Sequence, residues 1–527
     1  MSISRALLMA LSLSFAFVAN AQWVPSAAFN SMAPQHRDWR ITGQPDHGYF
    51  SFLSNGSFWA SNTLAHPATW LVTVPGQSSP QVDLNAIFED FAGSNALEAK
   101  ASFTLFNAGV FLSESRNTFV DFAATENVQA RVGLPGDVLR LPFTGNASFD
   151  GATSATIDLA PMDVSLLHHR SFSCGVQHAF SERLRAGLRV HRLHGFHHLA
   201  IEENRWGLTT HAADWSWNLN GGGRIVSSGL NAIYQAHVSG QMDSLIEALP
   251  DQLSSTPNKG WGADAGLEVQ WTERFSTWFQ YNHGGTIQWS NDVLAYEVEA
   301  FDWELEGFDA TNSGNGWVDG VDALSDSVEL WAENELAAIE TYHAASESNA
   351  AYEAKLPNRL VAGAEYSILR GEQGSRISIG GMVERNGQRP MSWNIAVNAR
   401  MGNGLQSTLT YGNRYGLVST AGVSLAMPVG PLLVFAAAEG HQALDWSHFT
   451  GSYDDQFKEW SMPTEAPYLA AQAGVVWRLN WRNPKSTPAP EPLAPFQNST
   501  RSPALGFEVQ LDDEVPVAQP CALPGDN

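Results

Sequence analysis

The sequence has few cysteines, few basic residues and few charged residues overall. Its 527 residues contain two cysteines, Cys174 and Cys521, which cannot form a disulfide framework, so we expect two unpaired thiols. Lys and Arg total 29 against 54 Asp and Glu, which gives a net charge of −25. Because binding to phosphates along a nucleic acid requires a basic face, this balance excludes nucleic acid from the expected partners.

The N-terminus, MSISRALLMALSLSFAFVANAQW, predicts a secretory signal peptide. Arg5 is its only charge, an apolar run extends from Ala6 to Val18, and small residues precede a cleavage site near Ala21. The run is too short for a membrane anchor, and no Cys follows the cleavage site. We therefore expect an exported chain without a lipid anchor.

Long apolar runs are absent after this segment. The nearest, Gly422 to Gly440, is interrupted by Pro428, Gly430 and Pro431, and it predicts two apolar strands joined by a tight turn. Elsewhere apolar residues occupy every second position, which is the period of a strand with one apolar face. Such segments, each about ten residues long and followed by a short polar turn, include ALEAKASFTLF, RLRAGLRVHRLHGF, SRISIGGMVER, SWNIAVNARM and LQSTLTYGN.

The length and spacing of these segments are typical of a transmembrane β-barrel. Lipid offers no hydrogen bonds, so a sheet spans a membrane only when it closes on itself, with one face towards lipid and the other towards a polar lumen. The 19 Trp residues fit the two membrane interfaces, where a half-polar ring is favoured. A soluble, secreted β-sandwich or solenoid shows the same alternation and is the alternative from pattern alone.

Several motifs occur in the same order as in one family of outer-membrane barrels. They are AAFNSMAP followed by GQP (43–45), SNGSF (54–58), GLPGDVLRLPFTGNASFDG (133–151), the hairpin HRSFSCGVQHAFSERLRAGLRVHRLHGF and GGTIQW (284–289). Up to about Trp481 the mature chain resembles an uncharacterised bacterial family, a domain of unknown function, distantly similar to FadL-type fatty-acid transporters and to barrels of a bacterial secretion system. The resemblance implies a closed antiparallel all-β barrel of about 14 strands. It implies no activity, because the function of the family is unknown.

The predicted organisation follows from these segments. Residues 1–21 are the signal peptide, 22–80 an N-terminal segment, 81–481 the barrel, and 482–527 a Pro-rich tail expected to be disordered in the periplasm. In FadL-type barrels an N-terminal segment plugs the lumen, so the resemblance implies a plug-like role for residues 22–80. Its aromatic residues suit either a plug beside an apolar ligand path or a purely structural plug: Phe50, Phe52, Phe58, Trp59 and Trp70.

Histidines cluster in VHRLHGFHHL, at His191, His194, His197 and His198. If no bulge intervenes, His191 and His197 lie on one face of a strand and His194 on the other. His168 and His169 are expected nearby across the hairpin. No Cys or acidic ligand recurs at a fixed spacing, so we expect polar packing in the lumen or at the interface rather than a metal site.

No motif favours catalysis. A barrel phospholipase needs a Ser and a His held together with an orienting polar group, and the sequence has neither a G-x-S-x-G elbow nor a spacing that forces such a pair. We therefore expect no enzymatic activity, no catalytic residue and no cofactor. A phospholipase-type barrel enzyme is the least favoured alternative.

A long insert supplies much of the negative charge. From Phe275 to Ala354 there are 16 Asp or Glu and no Lys or Arg. Its later part, Glu304 to Lys355, is too long for a periplasmic turn and predicts one long acidic extracellular loop. Within this loop, ALSDSVELWAENELAAIETYHAA has apolar residues at helical spacing and predicts a short surface helix.

The stretch FDATNSGNGWVDGVDALSD, residues 308–326, looks like a calcium-binding loop when it is taken alone. With Gly316 as the turn glycine, the ligand positions are Thr311, Ser313, Asn315, the Trp317 carbonyl, Asp319 and Asp322. The template requires Asp first and a bidentate Glu last, so Thr311 and Asp322 both depart from it. We therefore expect a solvated turn without a specific metal site, and the side chains that a cation would contact are Ser313, Asn315, Asp319 and Asp322.

These observations favour an outer-membrane barrel of FadL-like architecture that binds or passes a small or apolar ligand. The alternative is a non-transporting barrel that scaffolds a cell-surface or secretion complex through its acidic loop and tail. The expected partners are outer-membrane lipid, an apolar small molecule, and periplasmic or cell-surface proteins. The expected location is the cell outer membrane of a Gram-negative bacterium.

Overall fold

A computed structural model describes most of the chain. The described residues are 24–62, 71–72, 81–83, 86, 95–139, 155–211, 216–230, 257–305, 346–371, 374–387, 389–402, 404–415, 418–441, 446–453, 456–463 and 468–479. No helix among them is long and apolar enough to cross a membrane. Three predicted features lie outside them: the signal peptide, the loop helix with the candidate ligands Ser313, Asn315, Asp319 and Asp322, and the tail 482–527.

The described elements are two short helices and a long series of strands. A 3-10 helix spans Pro25–Phe29, and helix α1 spans His36–Trp39. The strands are β1 (Tyr49–Asn62), β2 (Leu71–Val72), β3 (Gln81–Val82), β4 (Asn95–Phe111), β5 (Thr118–Leu134), β6 (Ala155–Asp158), β7 (Asp163–Ala179), β8 (Leu184–Asn204), β9 (Gly207–Thr210), β10 (Trp217–Ser228), β11 (Lys259–Gln270), β12 (Phe275–Trp289), β13 (Val293–Leu305), β14 (Ser346–Ser348), β15 (Tyr352–Lys355), β16 (Arg359–Arg370), β17 (Arg376–Asn386), β18 (Ser392–Arg400), β19 (Gln406–Arg414), β20 (Val418–Val429), β21 (Leu432–His441), β22 (Trp446–Tyr453), β23 (Gln456–Pro463) and β24 (Tyr468–Arg478).

Fourteen of the described strands form one closed antiparallel ring. Its order is β1–β4–β5–β7–β8–β11–β12–β16–β17–β18–β19–β20–β21–β24, and β24 pairs back with β1. At the closure Tyr49 pairs with Arg478 on one side and with Gly109 on the other. A closed ring satisfies the backbone without exposing a sheet edge. The prediction of a closed, antiparallel, all-β barrel of 14 strands is confirmed.

The two faces of the ring have opposite polarity. On β4, Glu98, Lys100 and Ser102 are buried towards the interior, whereas Leu97 is 47% exposed on the outer face. On β19, Gln406 and Thr408 are fully buried, and on β18 the outward Ile395 and Val397 are exposed. Apolar side chains outside and polar ones inside are the reverse of a soluble protein and suit a barrel surrounded by lipid. This pattern excludes the soluble β-sandwich.

Short turns join the strands at one end of the barrel. The β20–β21 turn centres on Gly430, whose φ of +57° lies in the left-handed region that favours glycine. This confirms the prediction of two strands between Gly422 and Gly440. The start of β1 and the end of β24 lie at the same end, because Tyr49 pairs with Arg478. Short turns are typical of the periplasmic end of such barrels.

Additional strands extend the wall at the opposite end. Strand β8 pairs with β11 as far as His194, which lies opposite Lys259, and then with β10 from His198, which lies opposite Ser228. Strand β10 pairs in turn with β13 and with β9. The wall above β11 is therefore continued by the connections between the ring strands.

The barrel begins earlier than the sequence predicted. Strand β1 is part of the ring from Tyr49, so the boundary between an N-terminal segment (22–80) and a barrel (81–481) is wrong at its first limit. The reason is that four of the aromatic residues expected in a plug, Phe50, Phe52, Phe58 and Trp59, lie along this strand. Trp70 lies outside the described residues. Phe50 and Phe52 are 44% and 64% exposed on the outer face, and Trp59 is buried inside.

Candidate functional site in the barrel interior

Residues 24–48, called the N-terminal segment from here on, pack against the inward-facing side chains of the ring. The 3-10 helix begins with Pro25, whose fixed φ suits the first position of a helical turn. Small residues let this turn lie close to the wall, and Ala27 and Ala28 are buried. Helix α1 then presents Arg37 and Asp38, and Arg40 follows it. These charges, together with the partners that the ring supplies for them, make up the candidate site.

Arg40 bridges two carboxylates on different strands. Its Nη2 donates to Oε1 of Glu268 on β11 at 2.6 Å, and its Nη1 donates to Oε2 of Glu365 on β16 at 3.2 Å. Thr42 adds a hydrogen bond to Glu268 at 2.9 Å. The guanidinium also lies over the ring of Trp278, 4.5 Å from its centroid. A fork of donors held between two buried carboxylates fixes the segment in position and orientation.

A second buried network lies on the other side of helix α1. Arg37 donates to Asp121 of β5 at 3.1 Å and to Gln177 of β7 at 2.8 Å. Arg189 of β8 joins the helix to the wall, because it donates to Asp38 at 3.1 Å and to Asp121 at 2.8 Å. Each buried charge in this network has an opposite charge within hydrogen-bonding distance, as burial requires.

Glu384 holds a third network together. Its carboxylate accepts from Arg359 at 2.7 Å and from Arg414 at 2.5 Å. Arg359 stacks over Trp39 of helix α1, 3.8 Å from the ring centroid, and donates to the Asp38 carbonyl at 3.3 Å. The end of the helix is therefore held by an arginine that is itself held by the wall.

Glycines on the wall make room for apolar groups of the segment. Gly187 and Gly266 pair across β8 and β11, and a Cβ on Gly266 would lie 2.4 Å from Cγ2 of Ile41. A Cβ on Gly380 would lie 2.4 Å from Cε1 of Phe29. These positions have ordinary backbone conformations, so the requirement for glycine comes from the close approach of the segment.

The opposite wall contacts the first half of the segment. Gln406 of β19 donates to the Phe29 carbonyl at 3.1 Å and accepts from the Met32 amide at 3.2 Å. Asn30 donates to Ser424 of β20 at 3.2 Å. Met32 also packs in an apolar cluster with side chains of β21 and β24, Leu433, Phe435 and Val476. The segment thus contacts strands on opposite sides of the ring.

His36 is neutral at ordinary pH. Burial, with the Arg40 charge as the next cause, lowers the pKa of His36 to about 4. The imidazole packs against Gly43, where a Cβ would lie 2.3 Å from Cδ2 of His36. The segment therefore presents its positive charge through arginines and not through this histidine.

A cavity of about 210 Å³ lies between the segment and the inner wall of the ring. Pro34, Gln35 and Asp38 of the segment form part of its wall, and Pro357 and Asn386 lie at the end opposite the short turns. Most of the lining side chains carry a hydroxyl, amide, imidazole or charged group. Such a lining offers hydrogen bonds to a small polar solute.

Several polar atoms at this cavity make no hydrogen bond within the described part of the chain. They belong to Ser57, Asn107, His169 and both polar atoms of the Gln472 amide. Ser57 and Gln472 are direct neighbours, because they pair across β1 and β24. Buried polar atoms are normally satisfied by protein, water or ligand. These atoms lack a partner in residues that line the cavity.

A bulge in β8 removes the condition on which the histidine faces were predicted. A register shift between β7 and β8 places His169 opposite Gly195 and His168 opposite His197, with Phe196 as the extra residue. His191 therefore faces the interior, while the bulge turns His197 to the outer face. The prediction that His168 lies nearby is confirmed by a contact of 2.9 Å between Nδ1 of His168 and Nδ1 of His197.

No group of three or more His, Cys, Asp or Glu within the described ranges is placed to hold a metal ion. His191 instead accepts or donates within a hydrogen-bonded row, with Asp264 at 2.9 Å and Ser171 at 3.1 Å. The outer-facing Cys174 is a free, exposed thiol. Cys521 lies outside the described residues.

The role of the arginines of the N-terminal segment is not evident from the sequence. The one signal available was the set of carboxylates at inward positions of apolar strands, such as Glu268 in GLEVQ and Glu384 in GMVER. A carboxylate inside a closed barrel needs a cation, and Arg37 and Arg40 are the basic residues of the segment. The pairing itself depends on the fold, because Arg40 and Glu365 are 325 residues apart.

Comparison with known proteins gives one family and several similar folds. A family model described as "Family of unknown function (DUF5723)" matches residues 43–439. No curated protein matches the sequence.

Solved structures match over most of the chain at low identity. The TodX monoaromatic hydrocarbon channel deltaS2 mutant is 10% identical, with a TM-score of 0.38, over 83% of this chain and 92% of that chain. A Pseudomonas aeruginosa FadL homologue is 9% identical, with a TM-score of 0.39, over 88% of this chain and 98% of that chain. The translocator domain of the autotransporter NalP from Neisseria meningitidis is 9% identical, with a TM-score of 0.28, over 88% of this chain and 100% of that chain. At these scores the assignment of the barrel rests on its own closed ring of strands.

Proposed function

Since the chain belongs to the family of unknown function DUF5723, whose model matches residues 43–439, we propose a function from the interior of the barrel alone. The family predicted from the sequence motifs is confirmed by this match. We propose that the protein is an outer-membrane barrel whose N-terminal segment closes the lumen, and that the cavity above the segment binds a small polar solute. The outward apolar face places the ring in a membrane, and its short turns favour the periplasmic side for the N-terminus.

Closure of the lumen is supported by contacts around the ring. Arg40 reaches β11 and β16, Arg37 reaches β5 and β7, and the backbone on either side of Asn30 bonds to Gln406 of β19. A segment attached at these points lies across the lumen. Its attachment is through charge-assisted hydrogen bonds, which are roughly twice as strong as neutral ones.

The observation that carries the solute proposal is the set of unpaired polar atoms at the cavity. Gln472 offers both a donor and an acceptor, and Ser57 adjoins it across the strand pair. Asn107 and His169 add an acceptor and a ring nitrogen on the neighbouring wall. A solute with several hydroxyl, amide or ionic groups satisfies such a set, and an acyl chain does not.

The unpaired polar atoms favour this solute over the apolar ligand expected from the FadL-like resemblance. An apolar ligand would leave the amide of Gln472 and the hydroxyl of Ser57 desolvated without partners. Each such group costs about 1–3 kcal/mol. Lumenal passage of a hydrocarbon through this cavity is therefore the less favourable hypothesis.

Thermal unfolding of the detergent-solubilised full-length protein tests the solute class. We expect at least one member of a panel of small polar solutes, such as sugars, amino acids and nucleosides, to raise the unfolding temperature. The same solute is expected to lose its effect in the variant Gln472→Leu, which removes both unpaired atoms. The matched control is Gln270→Leu, because Gln270 is distant from the cavity and bonds to the turn at Thr272. Stabilisation by fatty acids alone, with no polar solute active, would contradict the proposal.

A further inference from the structure

The outer face of one wall carries three cations and a histidine at membrane height. Arg170 on β7, Arg192 and His194 on β8, and Lys259 on β11 all lie on this face. Their neighbours in sequence face inward, since His169, His191 and Leu193 line the cavity. Their cross-strand neighbours face outward, since Trp261 is 59% exposed and Phe172 is 44% exposed.

The strand register places these side chains in two adjacent rows. One row runs from Glu126 through Arg170 and His194 to Lys259. The row below it, towards the periplasm, runs from Ala124 through Phe172 and Arg192 to Trp261. Side chains directly opposite on one face of paired strands have Cβ atoms about 5 Å apart. These side chains therefore form one patch, defined here as the basic patch: Arg170, Arg192, His194 and Lys259.

The height of the basic patch follows from strand geometry. Arg170 is nine residues from Ala179, the periplasmic end of β7. Nine residues at about 3.3 Å each, tilted by about 40°, rise about 23 Å along the barrel axis. The apolar band of such barrels is about 25 Å tall. The patch thus lies where the outer ends of the acyl region meet the headgroups of the outer leaflet.

The apolar surface continues directly below the patch. On β7 and β8 the next outward positions towards the periplasm are Cys174 and Val176, and Val190 and Leu188. Val190 is 40% exposed and Leu188 is 50% exposed. A molecule that binds the cations and also lies on this surface has an anionic head and an apolar tail.

The charges of the patch are only partly neutralised. Arg170 pairs with Glu126 at 2.6 Å. Arg192 lies over the ring of Trp261, 4.7 Å from its centroid, and neither Arg192 nor Lys259 forms an ion pair with a residue of the described ranges. On β18 to β21 the outward positions hold no charged residue in the described part. The patch is therefore a local basic surface on a chain with a net charge of −25.

We propose that the basic patch binds the phosphate of a lipid headgroup in the outer leaflet. Arg192 and Lys259 contact the phosphate oxygens, and Trp261 and Phe172 contact the apolar part of the same lipid. Arginine forks and lysine ammonium groups match phosphate, and Arg192 is held beside Trp261 by a cation–π contact. The continuous apolar surface below the patch selects a lipid over a soluble anion.

Native mass spectrometry of the full-length protein tests the proposal. The protein is reconstituted in phosphatidylcholine nanodiscs that contain bisphosphorylated lipid A, or the same lipid A with both phosphates removed. We expect the phosphorylated probe to remain bound after detergent release roughly tenfold more often than the dephosphorylated one, as charge-assisted contacts require. The double variant Arg192→Gln/Lys259→Gln is expected to lose this preference. Arg385→Gln, which removes an exposed outward cation from β17, is the matched control and is expected to keep it.

Two results would overturn the proposal. One is equal retention of the two lipid probes by the wild-type protein, a comparison that needs no variant to fold. The other is displacement of the lipid by inorganic phosphate at concentrations equal to that of the probe, which would assign the patch to a free anion. Heat-dependent gel mobility checks that each variant is a folded barrel. If the folded double variant keeps the preference for phosphorylated lipid A, that result also counts against the assignment.

Discussion

Deletion of residues 24–46, which joins Trp23 to His47, is expected to open the barrel to small solutes. The deletion removes the 3-10 helix, helix α1 and both Arg37 and Arg40. The ring keeps its backbone hydrogen bonds, and the inward carboxylates become hydrated. We expect the swelling rate of proteoliposomes in arabinose to rise by roughly an order of magnitude, because the diameter of a closed ring grows with its number of strands and a ring of this size is not filled by its own side chains.

The deletion has a built-in control. A synthetic peptide of residues 24–46 added from the periplasmic side is expected to close the deleted barrel again, and the same peptide with Arg37→Ala and Arg40→Ala is expected to leave it open. A wild-type protein that already swells as fast as the deletion variant would show that the segment does not close the lumen.

Arg40→Ala is expected to release the N-terminal segment without unfolding the ring. The substitution leaves Glu268 and Glu365 buried with less positive charge between them. Removing one partner of a buried ion pair costs about 3–5 kcal/mol, and Arg40 serves two. At about 3 kcal/mol, the population of the released segment rises roughly a hundredfold. Amide hydrogen exchange of residues 36–42 measures this directly, since exchange follows local opening.

Arg205→Ala is the matched control for this substitution. Arg205 pairs with Glu203, but their side chains are 58% and 55% exposed. Removing this ion pair is therefore expected to cost at most about 1 kcal/mol of stability. The exchange rate of residues 36–42 in the Arg40→Lys variant is expected to lie between those of the wild-type protein and the Arg40→Ala variant. The reason is that a lysine keeps the charge and loses the fork of donors. Unchanged exchange in residues 36–42 of the Arg40→Ala variant would contradict the assigned role of Arg40.

The ring could be predicted from the sequence because its determinants are local. Alternation along segments such as Leu97 to Leu105 fixes which face of a strand meets lipid, and short polar turns fix antiparallel neighbours. The turn at Gly430 was recognised from proline and glycine alone. In each case the information lies within about ten residues, the length of one strand.

Other features depended on residues that are distant in sequence. Aromatic residues in YFSFLSNGSFW were assigned to a plug, yet they form β1, because a strand with an outward Phe50 and an inward Trp59 has the same composition as a compact apolar segment. The bulge at Phe196, which turns His197 outward, leaves no local signature in a run of mixed His and apolar residues.

The interior networks were beyond reach of the sequence for the same reason. Arg37 meets a partner 84 residues away and another 140 residues away, and Arg40 meets partners 228 and 325 residues away. Only closure of the ring brings these groups together. Burial then makes each pairing obligatory, because an unpaired charge in the interior is costly.

Thiol accessibility at residue 41 tests the closed lumen most directly. Ile41 is fully buried between the segment and the glycines of β8 and β11. The test uses a protein in which Cys174→Ser and Cys521→Ser remove the native thiols and Ile41→Cys introduces one cysteine. This cysteine is reacted with a membrane-impermeant maleimide, first in intact proteoliposomes and then after permeabilisation, which gives the reagent access from both sides. A cysteine placed by Arg205→Cys at an exposed position sets the rate of full access. Protection of residue 41 from both sides, lost on adding Arg40→Ala, is the predicted result; labelling as fast as residue 205 would contradict it.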